Sequence, residues 1–113
     1  MRVVLSIDME GVSQLRDPAE ILAACPEYWQ TGKPRLEADT VAAAEGLLAG
    51  GADEVIVLDN HGSGNPENVP PKSLPAGCRL ETWNVSRGMM PRGSGEYQRI
   101  SPGDTAIGNH PLA

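Results

Sequence analysis

Phenylalanine is absent from this chain, and aromatic residues make up only 4% of it. Its core must therefore be filled by Val, Leu, Ile and Ala. Basic residues are also few: nine Lys and Arg face fifteen Asp and Glu, for a formal net charge of −6 and a pI of about 4.7. With no basic stripe, nucleic acid is not an expected partner. The two cysteines, Cys25 and Cys78, make neither a CxxC pair nor a disulfide framework, which suits a reducing cytoplasm. No apolar run approaches the length of a transmembrane helix, and the apolar start at Met1–Ile7 is too short for a signal peptide. A cytoplasmic protein without a membrane partner is the expectation.

Glycine (13) and proline (10) are plentiful, so many turns should link a few regular elements. The hydrophobic fraction of 40% and charged fraction of 21% are those of a globular chain. A length of 113 residues allows one small domain, which buries a modest share of its surface unless a partner subunit or further sequence adds to it.

Val3-Val4-Leu5-Ser6-Ile7 and Glu54-Val55-Ile56-Val57-Leu58 are short, nearly continuous apolar runs, the pattern of strands buried on both faces of a parallel sheet. Between them, Leu36, Thr40, Ala43, Ala44, Leu47 and Leu48 recur at helical spacing. This predicts a helix over Arg35–Ala49 that stops at Gly50-Gly51 with a left-handed cap. Strand, helix and strand make a βαβ unit. Residues 11–34 hold three prolines and read as loop, apart from a short helix over Ile21–Ala24 opened by Asp17 as cap and Pro18 in the first turn. Residues 62–77 and 84–103 read as irregular. Cys78–Trp83 alternates weakly, as an edge strand does, and Thr105–Gly108 is a short last strand. The fold class expected is α/β, a mostly parallel sheet with a βαβ crossover and a metal site at the carboxyl ends of its strands.

Three of these strands run directly into metal-binding side chains: Asp8 and Glu10 after the first, His61 (with Asp59 nearby) after the second, and His110 after the last. In an open α/β sheet, ligands bind beyond the carboxyl ends of the strands, and parallel strands put those ends on one edge. Asp8 and Glu10 are two apart, so in an extended chain both side chains leave one face, roughly 7 Å apart at Cβ. Two such carboxylates repel unless a cation lies between them. Mixed carboxylate and imidazole donors suit zinc or a similar first-row metal. The set could close one site, or supply most of a two-metal site that acidifies a bridging water and polarises a carbonyl. The chain has only two histidines, and both stand at predicted strand ends. Asp59 reads as a partner that orients a histidine or as a turn former.

Other motifs carry less chemistry. Gly62-Ser63-Gly64-Asn65 follows a strand, yet no Lys-Ser/Thr follows it as a phosphate loop requires. Ser13, Ser63 and Cys78 lack a nucleophile-elbow context. Trp83 and Met89-Met90 suit packing or an interface, and Tyr28 and Trp29 suit anchoring of the first loop. Asp8-Met9-Glu10-Gly11-Val12 also bears a superficial likeness to the D-x-D-G-[TV] motif of haloacid-dehalogenase-like phosphatases, with Asp8 as nucleophile, but Glu10 replaces the second Asp. A metal-binding protein without catalysis is a third reading.

Ser6-Ile7-Asp8-Met9-Glu10-Gly11-Val12-Ser13 resembles the opening S-x-D-M-E-G-[IV]-[ST] of the D-aminopeptidases, peptidase family M55. The helix and Gly50-Gly51-Ala52-Asp53-Glu54-Val55 resemble the segment that follows. Leu58-Asp59-Asn60-His61-Gly62 is similar to the family's D-S-H step, Gly88-Met89-Met90 holds a comparable place, and Ile107-Gly108-Asn109-His110 resembles its G-Y-H step. The resemblance implies a zinc-dependent aminopeptidase with two ions on an α/β fold. Asp8 would bridge the ions, Glu10 and His61 would hold one, and His110 the other. It also implies release of N-terminal residues from short peptides, D-amino-acid peptides among them, and a homo-oligomeric ring. Two departures stand out: Asn109 replaces the usual aromatic, and Gln14 stands where the family often has Gly. The family's further Glu ligand and candidate catalytic His lie beyond its G-x-H step. The chain is therefore expected to be the N-terminal part of a single M55-type domain, with no catalytic residue assigned within residues 1–113.

Overall fold

A computed structural model of the chain describes residues 1–63, 67–82 and the strand at 105–108. Trp83, Met89, Met90 and His110 lie outside the described residues, as does the whole predicted irregular stretch 84–103. The strands are β1 (Arg2–Ile7), β2 (Glu54–Asp59), β3 (Cys78–Thr82) and β4 (Thr105–Gly108), in the order β3-β2-β1-β4. Every pairing is parallel. β1 and β2 are the inner strands and are buried from their second residue onward, as their unbroken apolar runs require. β3 is an edge strand, in keeping with its alternation. On it, Arg79 pairs with Glu54 at 3.2 Å and Glu81 at 3.6 Å, while Leu80 turns to the core.

The helix α1 spans Pro26–Ala49 and begins well before the predicted Arg35. Pro26 occupies its first turn, where a missing N–H costs nothing and the fixed φ already suits a helix. Pro34 lies inside the helix, where it removes the bond to the Gln30 carbonyl. Both residues are exposed, so water can satisfy that carbonyl and the helix continues. Proline had suggested a break; exposure makes it tolerable. The helix ends as predicted: Gly51 has φ +111°, the Ala52 N–H bonds the Leu47 carbonyl at 3.0 Å, and the Gly51 N–H bonds that of Leu48 at 3.1 Å. This is a Schellman motif, and Ala52 and Leu47 both pack on the core.

The short helix expected over Ile21–Ala24 is instead a 3-10 turn over Pro18–Ile21. Asp17 caps it as expected. Its side chain accepts from the Ala19 N–H at 2.8 Å, and Glu20 reaches back to the Asp17 N–H at 2.9 Å, completing a capping box. That box is satisfied within one turn, so the helical bonds end there.

One face of the sheet carries Leu5, Ile7, Val55 and Val57 against Leu36 of α1, joined by Met9, Val12 and Val69 from loops. Val4, Ile56 and Leu58 form a second buried cluster on the opposite face. Leu36, Thr40 and Ala44 are the buried stripe of the predicted helix face; Ala43 is exposed. No helix among the described residues is long and apolar enough to cross a membrane.

Candidate metal centre

The carboxyl ends of β1 and β2 are level, with Ile7 paired to Asp59. The Asn60 N–H donates to the Ile7 carbonyl at 3.0 Å, and its side-chain amide donates to Ser6 Oγ at 2.7 Å. These two bonds lock the strand ends together, so the residues that follow, Asp8 and His61, emerge side by side. β4 ends at the same edge, Gly108 beside Ser6. His110, proposed from the sequence as a ligand, follows it beyond the described residues.

Asp8 and Glu10 come together differently from the extended arrangement expected. The Val12 N–H bonds the Met9 carbonyl at 3.0 Å and Gly11 has φ +94°, the signature of a type II turn with glycine at its third position. Met9 is wholly buried and anchors the turn. The D-M-E-G sequence thus folds the second carboxylate back toward the first. One donor atom from each of Asp8, Glu10 and His61 lies within 4.8 Å of the others, a spacing that could hold a single ion. His61 Nδ1 is 2.9 Å from Asp8 Oδ1 and 4.0 Å from Glu10 Oε2. Beside Asp8, a cleft of about 240 Å³ runs between β1 and α1, lined by Ile7, Gly11, Val12, Leu36 and Ala43.

The His61 ring is held from behind. Its Nε2 lies 2.6 Å from the carbonyl oxygen of Ile21, and a carbonyl oxygen can only accept, so Nε2 carries a proton. Nδ1, facing the carboxylates, then presents a lone pair that can accept a hydrogen bond, take up a proton or coordinate a cation. Burial disfavours the charged form of Asp8, but hydrogen bonds from His61, Glu10 and the Met9 N–H outweigh it and bring its pKa down to about 2. Glu10 is pushed up by its hydrogen bond to Asp8 and by burial. For His61, burial favours the neutral ring, but the bonds to Asp8 and Ile21 and the nearby negative charge prevail and raise its pKa.

These shifts give the metal-free chain a pH signature. The lowered Asp8 pKa stabilises the fold above its ordinary 3.8, and this is lost as pH falls from there toward about 2. The raised pKa values of Glu10 and His61 stabilise it below 4.5 and 6.5, and this is lost as pH rises through their folded values. All three contributions are present together between pH 3.8 and 4.5, so thermal melts in chelator should show greatest stability in that interval, with a decline on both sides. A His61→Ala variant with the same profile as wild type would show that this contact does not contribute.

Glu20 and Asn68, outside the predicted set, support the site. Glu20 is buried and accepts hydrogen bonds from the Arg16 N–H (2.8 Å), the Asp17 N–H (2.9 Å), Thr31 Oγ1 (2.9 Å) and Arg35 (3.1 Å). Those backbone bonds above all hold its pKa below the ordinary value. They also fix the turn that presents the Ile21 carbonyl. Asp17-Pro18-Ala19-Glu20 is a capping box that could have revealed Glu20 from sequence. Asn68, in a Pro- and Gly-rich loop, gives no such signal. Asp59 does not join the ligand cluster; its carboxylate accepts from the Asn68 N–H at 2.8 Å and the Asn68 side-chain amide at 2.9 Å. Gln14 adopts φ +68°, the conformation glycine favours, and the Arg35 guanidinium donates to its carbonyl.

Fold and site together define an open parallel α/β sheet with a carboxylate–imidazole cluster at the carboxyl ends of its central strands. A family model described as Peptidase_M55, D-aminopeptidase, matches residues 1–97, and the chain belongs to that family. Among solved structures it is similar to the Zn-dependent D-aminopeptidase DppA from Bacillus subtilis, described as a self-compartmentalizing protease. The TM-score is 0.67 and the sequence identity 24%, over 75% of this chain and 30% of that one. The chain thus spans less than a third of the length of the structure it matches. No curated protein matches it. Family membership sets aside the phosphatase reading of Asp8.

Proposed function

We propose that this chain carries part of the zinc centre of an aminopeptidase, with Asp8, Glu10 and His61 as ligands and His110 as a further one, and that the whole protein releases N-terminal residues from short peptides. The observation that carries the reading is the convergence of Asp8, Glu10 and His61 within 4.8 Å at the carboxyl edge of the sheet. The His61 tautomer supports it, because Nε2 is committed to Ile21 and leaves Nδ1 toward the carboxylates. Two acids and an imidazole suit zinc chemically. A bound zinc ion supplies Lewis acidity, which makes water a nucleophile at neutral pH and polarises a scissile carbonyl.

The chain's own residues prepare for that role. Asp8 is the central donor, hydrogen-bonded by both other members. Glu10 is the most exposed of the three, at 63%, and so stands closest to incoming substrate. Two ions, peptides with D-residues at the N-terminus, and a homo-oligomeric, cytoplasmic enzyme belong to the same proposal. The Bacillus protein's zinc dependence and self-compartmentalizing description support the zinc and the oligomer. The test is peptide hydrolysis by the product of the full reading frame, purified with zinc and offered short peptides that begin with D- or L-residues. Release of the N-terminal residue, abolished by chelator and restored by zinc, is expected. Zinc-independent release would overturn the proposal.

A further inference from the structure

The loop after β2 returns on itself so that one side chain grips three alternate residues. Asn68 is 1% exposed. Its side-chain amide donates to Asp59 Oδ1 at 2.9 Å and to the His61 carbonyl at 2.7 Å, and its Oδ1 accepts from Ser63 Oγ at 2.5 Å. Its backbone N–H donates to Asp59 Oδ2 at 2.8 Å. The next residue, Val69, is wholly buried in the core, which anchors the return. Both N–H donors of the amide are used, one before His61 and one on His61 itself. The backbone of His61 is therefore clasped by Asn68 while the Ile21 carbonyl holds its ring.

We infer that Asn68 is a positioning residue for the metal centre: with the Ile21 carbonyl, it holds His61 so that Nδ1, and not Nε2, is the nitrogen offered to the ion. This rests on reading Asp8, Glu10 and His61 as ligands. Asn68 touches neither ion nor substrate and acts only through His61. A carbonyl behind the imidazole fixes its tautomer, and such outer partners commonly govern affinity. The clasp also means that the ligand is set before any metal arrives, so little ordering is left to oppose binding.

The test compares zinc affinity, by competition with a chromophoric chelator, in wild type and three variants, each checked by thermal melting. Asn68→Ala should weaken zinc binding by about 10- to 100-fold. Asn68→Asp keeps the shape but loses the N–H donors, and should weaken it comparably. Ser63→Ala leaves both N–H bonds of Asn68 in place and should stay near wild type. In wild type, long-range proton–nitrogen spectra should show His61 protonated at Nε2 without metal and coordinated through Nδ1 with zinc. A folded Asn68→Ala or Asn68→Asp protein with wild-type affinity overturns the inference. So does coordination through Nε2, which decides the matter even if both Asn68 variants fail to fold. Wild-type protein that takes up no zinc overturns the ligand assignment itself, whereas equal binding by wild type and variants overturns the role of Asn68 alone.

Discussion

Replacing Asp8 with alanine should reduce zinc affinity by more than about 100-fold, equivalent to about 2.7 kcal/mol. Of the three donors, Asp8 is the one the others converge on. His61 Nδ1 lies 2.9 Å from it, and Glu10 is hydrogen-bonded to it. Its Oδ1 also accepts from the Met9 N–H at 2.8 Å, so the carboxylate is oriented by its own turn. Alanine removes the charge, the donor atom and that orientation together. Asp8→Asn separates them, since the amide oxygen can still accept from Met9 while the charge is gone. Most of the affinity should be lost there too, because a neutral oxygen is a poor partner for a divalent ion beside an imidazole. Calorimetric zinc titration of wild type and both variants decides this, and wild-type affinity in Asp8→Ala would leave the site without its central ligand. In the metal-free Asp8→Ala protein, the Glu10 pKa should return toward its ordinary value, because the hydrogen bond that raises it comes from Asp8.

Gly32→Ala is expected to destabilise the fold by about 3 kcal/mol, although alanine is the better helix former by about 1 kcal/mol. Gly32 is buried in α1 where the helix crosses the 3-10 turn. A Cβ there would lie 2.1 Å from the Glu20 carbonyl oxygen and 2.8 Å from its carbon. These are backbone atoms, and Glu20 is pinned by four hydrogen bonds, so neither partner yields cheaply. Steric overlap therefore wins over propensity. The midpoint of thermal unfolding should fall by roughly 10 °C. Gly46→Ala provides the contrast. It lies in the same helix, is exposed, and an added Cβ meets nothing within 4 Å, so up to about 1 kcal/mol of stabilisation is expected. Thermal melts of the pair check both signs. If Gly32→Ala matches Gly46→Ala, the close approach of helix and turn is not a constraint. The loss should also extend to the metal centre, because Ile21, whose carbonyl holds His61, follows Glu20 directly.

Much of this architecture was legible in the residue order. The apolar runs at Val3–Ile7 and Val55–Leu58 are both strands, Cys78–Thr82 is an edge strand, and the last strand occupies Thr105–Gly108 as read. The helix end at Gly50-Gly51 was legible because the left-handed turn there needs glycine. Its beginning was not. Pro34 and Gly32 argue against a helix interior on propensity, and only exposure of the one and close packing of the other make both acceptable. The same limit applied at Asp8-Met9-Glu10-Gly11, where the two carboxylates suggested an extended pair. Burial of Met9 and the positive φ of Gly11 make a turn instead.

The residue order by itself determined which donors the chain has and which strands they follow, since strand, cap and turn preferences act over a few neighbouring positions. It also carried the family, through D-M-E-G and D-N-H. Only the tertiary structure decided that His61 meets Asp8 and that its Nε2 is committed to a carbonyl from another segment. Asn68, unremarkable in a loop, became a clasp by the same route. Those outcomes depend on backbone groups and on contacts between residues up to 53 positions apart, which come into range only after the sheet has paired in register.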